Sequence, residues 1–227
     1  MRPAVVLLSG GLDSATCLAW ALAEGFQAHA LTLAYGQRHA VEIERAKAIA
    51  RHLGAASHRV VDMDLSFLQG SSLTDHATDV PKGRSDDEIA TGIPSTYVPA
   101  RNTILLAVAL AWAETLGARD LVIGVNAIDF SGYPDCRPEF LRAFEGLARV
   151  GTRAGAGGDA LTVHAPLQSA SKAQIVRRAL ELGVPIELTV SCYDPGPRGK
   201  PCGSCDACRL RARGFLEAGV DDPAAGS

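Results

Sequence analysis

One short stretch constrains the fold more than any other. Ser9-Gly10-Gly11-Leu12-Asp13-Ser14 joins an apolar run, Ala4-Val5-Val6-Leu7-Leu8, to a segment whose Ala15, Leu18, Ala19 and Leu22 recur at i, i+3, i+4 and i+7. An apolar run bounded by Ser and Gly reads as a buried strand, and the recurrence reads as the buried face of a helix. A strand that turns through glycines straight into a helix brings backbone N–H groups close to a ligand, and the helix N-terminus adds partial positive charge. Such a unit suits an anion, foremost a phosphate. A turn that needed only flexibility would not require the two hydroxyls and the carboxylate of Ser9, Ser14 and Asp13 around its glycines. Neither Gly-x-x-x-x-Gly-Lys-Ser/Thr nor Gly-x-Gly-x-x-Gly fits the stretch.

The strand-helix alternation continues. Residues 28–35 read as a second strand, 39–53 as a helix with Ile43, Ala46, Ala50 and Leu53 at helical spacing, and 58–61 as a third strand. Repeated β-α units imply right-handed crossovers and a parallel sheet. Residues 103–116 form a strongly apolar helix, 121–125 a fourth strand, 161–164 a fifth, and Ser171 can cap a helix running to Leu182. The expected fold is α/β, a doubly wound parallel sheet over 1–187. Within it, 63–97 is crowded with Asp, Gly, Ser, Thr and Pro, and a gap of that length reads as an active-site insertion. Residues 188–218 are expected to be a zinc-binding subdomain and 219–227 a flexible tail.

The net charge of −3 argues against a general nucleic-acid or membrane-surface binder. No apolar run approaches the roughly 18 residues of a membrane span, and the first residues enter a strand directly, so the expectation is a cytoplasmic protein without a signal peptide.

Cys17 and Cys136 stand alone, whereas Cys192, Cys202, Cys205 and Cys208 cluster. Two overlapping Cys-x-x-Cys steps let neighbouring thiolates meet at tetrahedral angles, and Cys192 closes the fourth corner. Four thiolates with no open position describe structural zinc. An iron–sulfur cluster and a redox dithiol remain as other uses of such a set.

In an open parallel sheet ligands sit beyond the carboxyl ends of the strands. Besides the Ser9 loop, three polar stretches fall there. Tyr35-Gly36-Gln37-Arg38-His39 follows the second strand, and reads equally as a nucleotide-facing loop or a solvated helix start. The loop from Asn126 to Arg137 combines Asp129, Asp135, Phe130 and Tyr133, a mixture suited to a flat polar heterocycle. Ser171-Lys172 opens a helix with a charge that its macrodipole disfavours, unless a phosphate lies nearby. Arg101 poses the same question at the start of the apolar helix.

The Ser9 stretch resembles the SGGxDS motif of the PP-loop ATP pyrophosphatases, which cleave ATP between its α and β phosphates to adenylate a substrate. Taken with Tyr35 to His39, Val98 to Asn102, the Asp129 to Arg137 loop and the cysteine knuckle, the chain from Val5 to about Phe215 resembles the 7-cyano-7-deazaguanine synthase family of queuosine-precursor biosynthesis. The resemblance implies conversion of 7-carboxy-7-deazaguanine, ammonia and ATP into the 7-nitrile through adenylation, amide formation and a second activation with dehydration. It implies that Leu8, Ser9, Gly10, Gly11, Leu12, Asp13, Ser14, Ala15, Thr16, Cys17, Leu18 and Tyr35 surround ATP, with Asp13 near Mg2+. Asp13, Arg101 and Lys172 would be catalytic. Gln37, Asn126, Asp129, Tyr133, Asp135 and Arg137 would meet the deazapurine, and Cys192, Cys202, Cys205 and Cys208 would hold structural Zn2+. A homodimer is implied as well, with the Thr103 helix as a possible seam. The chain departs from the family in having Ala100 where Gly is usual, and in a first cysteine gap often one residue longer. Two other readings stay open. One is another PP-loop enzyme, an ammonia-dependent NAD synthetase or a tRNA thiolase, although Cys17 and Cys136 suit a thiolase poorly. The other is a non-catalytic zinc-knuckle module, against which Asp13, Arg101 and Lys172 argue.

Overall fold

The computed structural model of the 227-residue chain describes all residues except 37–40, 66, 76, 90–91, 128–131, 197–198 and 225–227. Five parallel strands form one sheet in the order β3-β2-β1-β4-β5: β1 Pro3–Leu7, β2 Gln27–Ala34, β3 Ser57–Asp62, β4 Asp120–Val122 and β5 Thr162–His164. The apolar run of β1 is continuous because both its faces are covered. Ala4, Val6 and Leu8 pack under α1 Leu12–Ala23, α2 Val41–Leu53, α7 Lys172–Glu181 and α8 Asp206–Ala218, reaching Ile49, Ile175 and Phe215. Val5 and Leu7 pack on the other side with Leu106 of α4 Arg101–Leu116 and with Leu141 and Phe144 of α5 Pro138–Gly151. The short helices α3 Asp86–Ile89 and α6 Arg153–Ala156 lie outside these two layers' main elements. The expected doubly wound sheet is the fold observed.

The strand order positions the site. From β1 the chain winds outward to β2 and β3 with α1 and α2 on one face, then crosses back to β4 with α4 on the other. Crossovers therefore leave β1 and β4 on opposite faces, and the crevice beyond their carboxyl ends is the switch point where such sheets bind ligands.

Residues 63–97 attach to the cysteine knuckle. Leu73, Val80 and Val98 cluster with Cys192 and Cys205, Lys82 bridges antiparallel to Cys205, and Gly83 N donates to Ser204 O at 2.9 Å. Arg84 pairs with Asp206 at 2.8 Å and Lys82 with Asp194 at 2.8 Å. Beyond α8, Arg211 grips the Asp222 carboxylate at 2.6 and 2.9 Å and Ala224 is buried.

Ala100 is the N-cap of α4 with φ 53 and ψ 25, and it is the sole non-glycine at positive φ among the described residues. A Cβ in that region costs about 1–2 kcal/mol, which glycine escapes at a smaller entropic cost. Ala100→Gly is therefore expected to stabilise the fold by about 0.5–1 kcal/mol, read as a higher denaturant midpoint at unchanged m. A lower midpoint would show that this conformation carries no strain.

Candidate active site

Past β1, two hydroxyls close the glycine loop on itself. Ser9 N donates to Ser14 Oγ at 3.1 Å, Ser14 Oγ donates to Gly11 O at 3.0 Å, and the two Oγ atoms are 3.0 Å apart. Gly10, at φ 89, passes so close to α2 that a Cβ there would stand 2.5 Å from Glu42 O. A Cβ on Gly124 would reach 3.2 Å from Ser14 N, so the chain just past β4 abuts the start of α1 as closely as backbone allows. Val190 N donates to Gly10 O at 3.0 Å and ties the loop to the segment leading into the knuckle. Gly10→Ala meets both a positive φ and a backbone clash. It is expected to lower stability by about 2–4 kcal/mol; an unchanged melting temperature would refute this close packing.

Asp13, in the first turn of α1, joins elements distant in sequence. Its Oδ2 accepts from Lys172 Nζ at 2.5 Å and from Asn126 Nδ2 at 2.8 Å. That pairing answers the unfavourable placement of Lys172 at a helix start, since its charge meets Asp13. Ser171 nevertheless caps α7 fully: its Oγ accepts from Gln174 N at 3.3 Å while Gln174 Oε1 accepts from Ser171 N at 2.8 Å. A Cβ on Gly214 would lie 2.8 Å from Lys172 Cβ, so α8 backs directly onto the lysine.

Arg101 starts α4 on the far side of the crevice. Burial opposes its charge, but Tyr35, Tyr193 and Tyr133 raise its pKa, helped by a Tyr35 hydrogen bond, and keep it cationic. Asp13, Lys172 and Arg101 line one cavity of about 290 Å³ with Leu8, Ser9, Gly11, Leu12, Ser14, Tyr35 and Tyr133. Leu7, Leu31, Leu33, Ile123 and Val125 add apolar walls, and Val190, Ser191, Tyr193 and Ala207 bring in the knuckle side.

The remaining candidate residues fall in several places. Ala15, Thr16, Cys17 and Leu18 are buried along α1 behind the loop; Thr16 Oγ1 donates to Leu12 O at 2.8 Å, and burial pushes the Cys17 thiol up. Asn126 faces Asp13. Asp135 is buried, and its carboxylate accepts from Asn102 N at 2.8 Å at the start of α4. Arg137 is exposed at the N-cap of α5. Tyr133 reaches the cavity with its hydroxyl 2.8 Å from Thr96 Oγ1 and its ring 6.1 Å from that of Tyr97. Gln37 and Asp129, with Arg38 and His39, lie outside the described residues. Among the lining residues that escaped the sequence reading, two are ionisable or aromatic. Glu42 is off the apolar face that defined α2, and Tyr193 is next to Cys192, whose spacing drew the attention.

The sulfurs of Cys192, Cys202, Cys205 and Cys208 all lie within 4.8 Å of one another. Backbone N–H groups converge on them: Cys202 N donates to Cys192 Sγ at 3.2 Å, Cys205 N to Cys202 Sγ at 3.3 Å and Tyr193 N to Cys205 Sγ at 3.5 Å. A hydrogen bond to Cys205 pushes Cys192 up to about 12, and bonds to Cys192 and Cys205 push Cys208 up, while the same sharing holds Cys205 low. Hydrogen bonds also hold Cys202 low, and four converging sulfurs are a donor set that fits a tetrahedral dication.

The model of the queuosine biosynthesis protein QueC family matches residues 3–219. A 7-cyano-7-deazaguanine synthase of Anaeromyxobacter sp. (strain Fw109-5) is 64% identical over 98% of this chain and 95% of its own length. One of Paramagnetospirillum magneticum is 59% identical over 99% and 98%. Among solved structures, an NMN synthetase from Francisella tularensis superposes with TM-score 0.52 at 17% identity, covering 97% of this chain and 78% of its own. A predicted subunit of tRNA methyltransferase from Methanocaldococcus jannaschii gives 0.52 at 17%, covering 98% and 90%. At such identities the superpositions speak for the fold alone.

Proposed function

The chain belongs to the queuosine biosynthesis protein QueC family, and on that premise we propose how its cavity makes 7-cyano-7-deazaguanine from 7-carboxy-7-deazaguanine, ammonia and ATP. The observation that carries the reading is the meeting of Asp13, Lys172 and Asn126 at the switch point, across one cavity from Arg101.

The enzyme is an ATP-dependent carbon–nitrogen ligase. A carboxylate oxygen is a poor leaving group until a phosphoryl ester carries it away. The substrate carboxylate attacks the α-phosphorus of ATP and pyrophosphate departs; ammonia then attacks the acyl carbon and AMP departs. The amide oxygen repeats the first attack on a second ATP, and loss of AMP and of the nitrogen-bound protons leaves the nitrile. Backbone N–H groups of Ser9 to Ser14 cradle phosphates at the start of α1. Lys172 and Arg101 stabilise the charge that grows on leaving pyrophosphate, most effectively where water is excluded. Asp13 aims Lys172 and is the carboxylate that would hold magnesium, which when bound would neutralise phosphate charge. Tyr133, beside Tyr97, presents an aromatic ring to the deazapurine, while Asp135 and Arg137 shape the loop beneath it. Gln37 and Asp129 complete the proposed substrate set. Val190, Ser191 and Tyr193 give the nucleotide its other wall.

The four-cysteine cluster would hold zinc, a closed structural centre linking the knuckle of 188–218 to the 63–97 insertion and to the domain of 1–187. The small exposed side chains of α4, Ala107, Ala111 and Thr115, support a homodimer seam. No described helix is long and apolar enough to cross a membrane, and the net charge of −3 supports small-molecule substrates without nucleic acid.

The test is one incubation with 7-carboxy-7-deazaguanine, ammonium, ATP and magnesium, followed by mass spectrometry. The expected products are the nitrile, AMP and pyrophosphate. A folded, metal-loaded protein that makes neither the nitrile nor AMP would overturn the reading.

A further inference from the structure

Among the described residues two carboxylates line the cavity, Asp13 and Glu42. Asp13 is engaged with Lys172 and Asn126 at 2.5 and 2.8 Å. Glu42 has no part in the chemistry so far. It stands in the first turn of α2, where its own carbonyl packs beneath Gly10, so it is fixed to the phosphate loop at the edge of the reacting space. Arg101 of α4, Tyr35 beyond β2, Asp13 of α1, Lys172 of α7 and Tyr193 of the knuckle share that cavity, while Glu44 and Arg45 flank it on its own helix. Burial pushes the Glu42 carboxyl up to about 7, with Arg101 pulling the other way. A carboxyl poised near neutrality is suited to passing protons.

The reaction needs such a group twice. Ammonium, the prevailing form of ammonia at neutral pH, has no lone pair to attack with, and dehydration must strip protons from nitrogen. We propose that Glu42 is the proton acceptor of the carbon–nitrogen steps, taking a proton first from ammonium and later from the activated amide; this rests on the reaction assigned above. In the first step the Glu42 carboxylate removes one proton from ammonium. The freed lone pair forms the C–N bond, the C–O bond to AMP breaks with its electrons leaving on AMP, and the surplus proton on nitrogen passes to solvent. In the second, the amide oxygen has displaced pyrophosphate from ATP. One nitrogen-bound proton passes to solvent and the other to Glu42 as the remaining C–O bond breaks, closing C≡N and releasing AMP. Glu42 returns its proton to solvent after each step, and nothing is oxidised or reduced.

Glu42→Gln tests this with little change of shape. At pH 7 its ammonium-dependent nitrile formation is expected to fall about 10²–10⁴-fold, while carboxylate-dependent exchange of labelled pyrophosphate into ATP stays within about tenfold of the parent enzyme. The parent rate should decline below about pH 7 as Glu42 takes up its proton. The variant should instead gain about tenfold per pH unit, following free ammonia. Hydroxylamine, largely unprotonated at neutral pH, should give the hydroxamate with the variant at nearly the parent rate. Glu42→Asp should recover part of the ammonium rate and the acid limb. Because burial already favours the neutral carboxyl, Glu42→Gln should melt no lower than the parent at pH 8. Parent-like ammonium kinetics in the variant, or equal losses with ammonium, with hydroxylamine and in exchange, would overturn the proposal. A parent enzyme that makes no nitrile would sink the assigned reaction instead, which separates the two failures.

Discussion

Cys205→Ser is expected to strip the protein of its metal and of nearly all its activity together. Cys205 is fully buried, accepts a bond from Tyr193 N and is the N-cap of α8. Two residues on, Ala207 lines the cavity, and farther along Gly214 seats Lys172. The insertion holds the same knuckle through the Lys82 bridge and the Arg84 to Asp206 pair. Structural zinc in small domains binds with about 10–16 kcal/mol of apparent free energy. A domain's whole stability is about 5–15 kcal/mol. Losing one of four thiolates should therefore cost enough to unfold the knuckle, freeing Val190 from Gly10 and Lys172 from its backing. The expected result is metal content near zero, a broad early melting transition and nitrile formation down at least about a hundredfold. Exhaustive chelation of the parent protein should reproduce it, and zinc should restore it. A Cys205→Ser protein that kept a full equivalent of metal and its activity would mean that the cluster is not the clasp described here.

The sheet was legible because its signals are local. The apolar runs at β1, β2 and β5, the glycine stops and the helical periodicities each depend on a few neighbouring residues, and parallel order follows from their alternation. The cysteine cluster was legible for the same reason. What lay hidden depends on contacts between distant residues. Nothing near Lys172 in sequence says that its partner is Asp13, 159 residues away. Asn126 looked like part of a base-binding loop, whereas its amide donates to that same carboxylate. Asp135 shared the loop's polar signature, yet it is spent on Asn102 at the head of α4. Glu42 lies off the apolar positions, Ile43, Ala46, Ala50 and Leu53, by which the helix was recognised. The resemblance flagged Ala100 only as a departure, and the backbone supplies the reason: glycine suits the left-handed cap that launches Arg101.

Asp13→Ala should leave a folded, metal-loaded protein that turns over at least about 10³-fold more slowly. The fold should survive because the Asp13 and Lys172 side chains are 20% and 19% exposed, so water can screen the ammonium left behind. Catalysis should not survive, because in the proposed reaction the carboxylate fixes the cation that meets departing pyrophosphate. Two explanations of that loss can be separated. If Asp13 acted only by aiming Lys172, then Asp13→Ala, Lys172→Met and their double variant would all lose the same amount, since the second change would remove nothing further. If Asp13 also holds magnesium, Asp13→Ala should lose more than Lys172→Met, and its magnesium requirement should shift to higher concentration. The double variant would then be slower than Lys172→Met alone. Asp13→Asn sharpens the comparison, since the amide can still meet Lys172 and Asn126 in space but carries no charge. Its activity should match Asp13→Ala within about tenfold if charge is what matters. Pyrophosphate exchange should fall in step with nitrile formation in all these variants, because the leaving of pyrophosphate is the step they touch. In Glu42→Gln the two assays should part, and that contrast tells the phosphate half of the cavity from the nitrogen half.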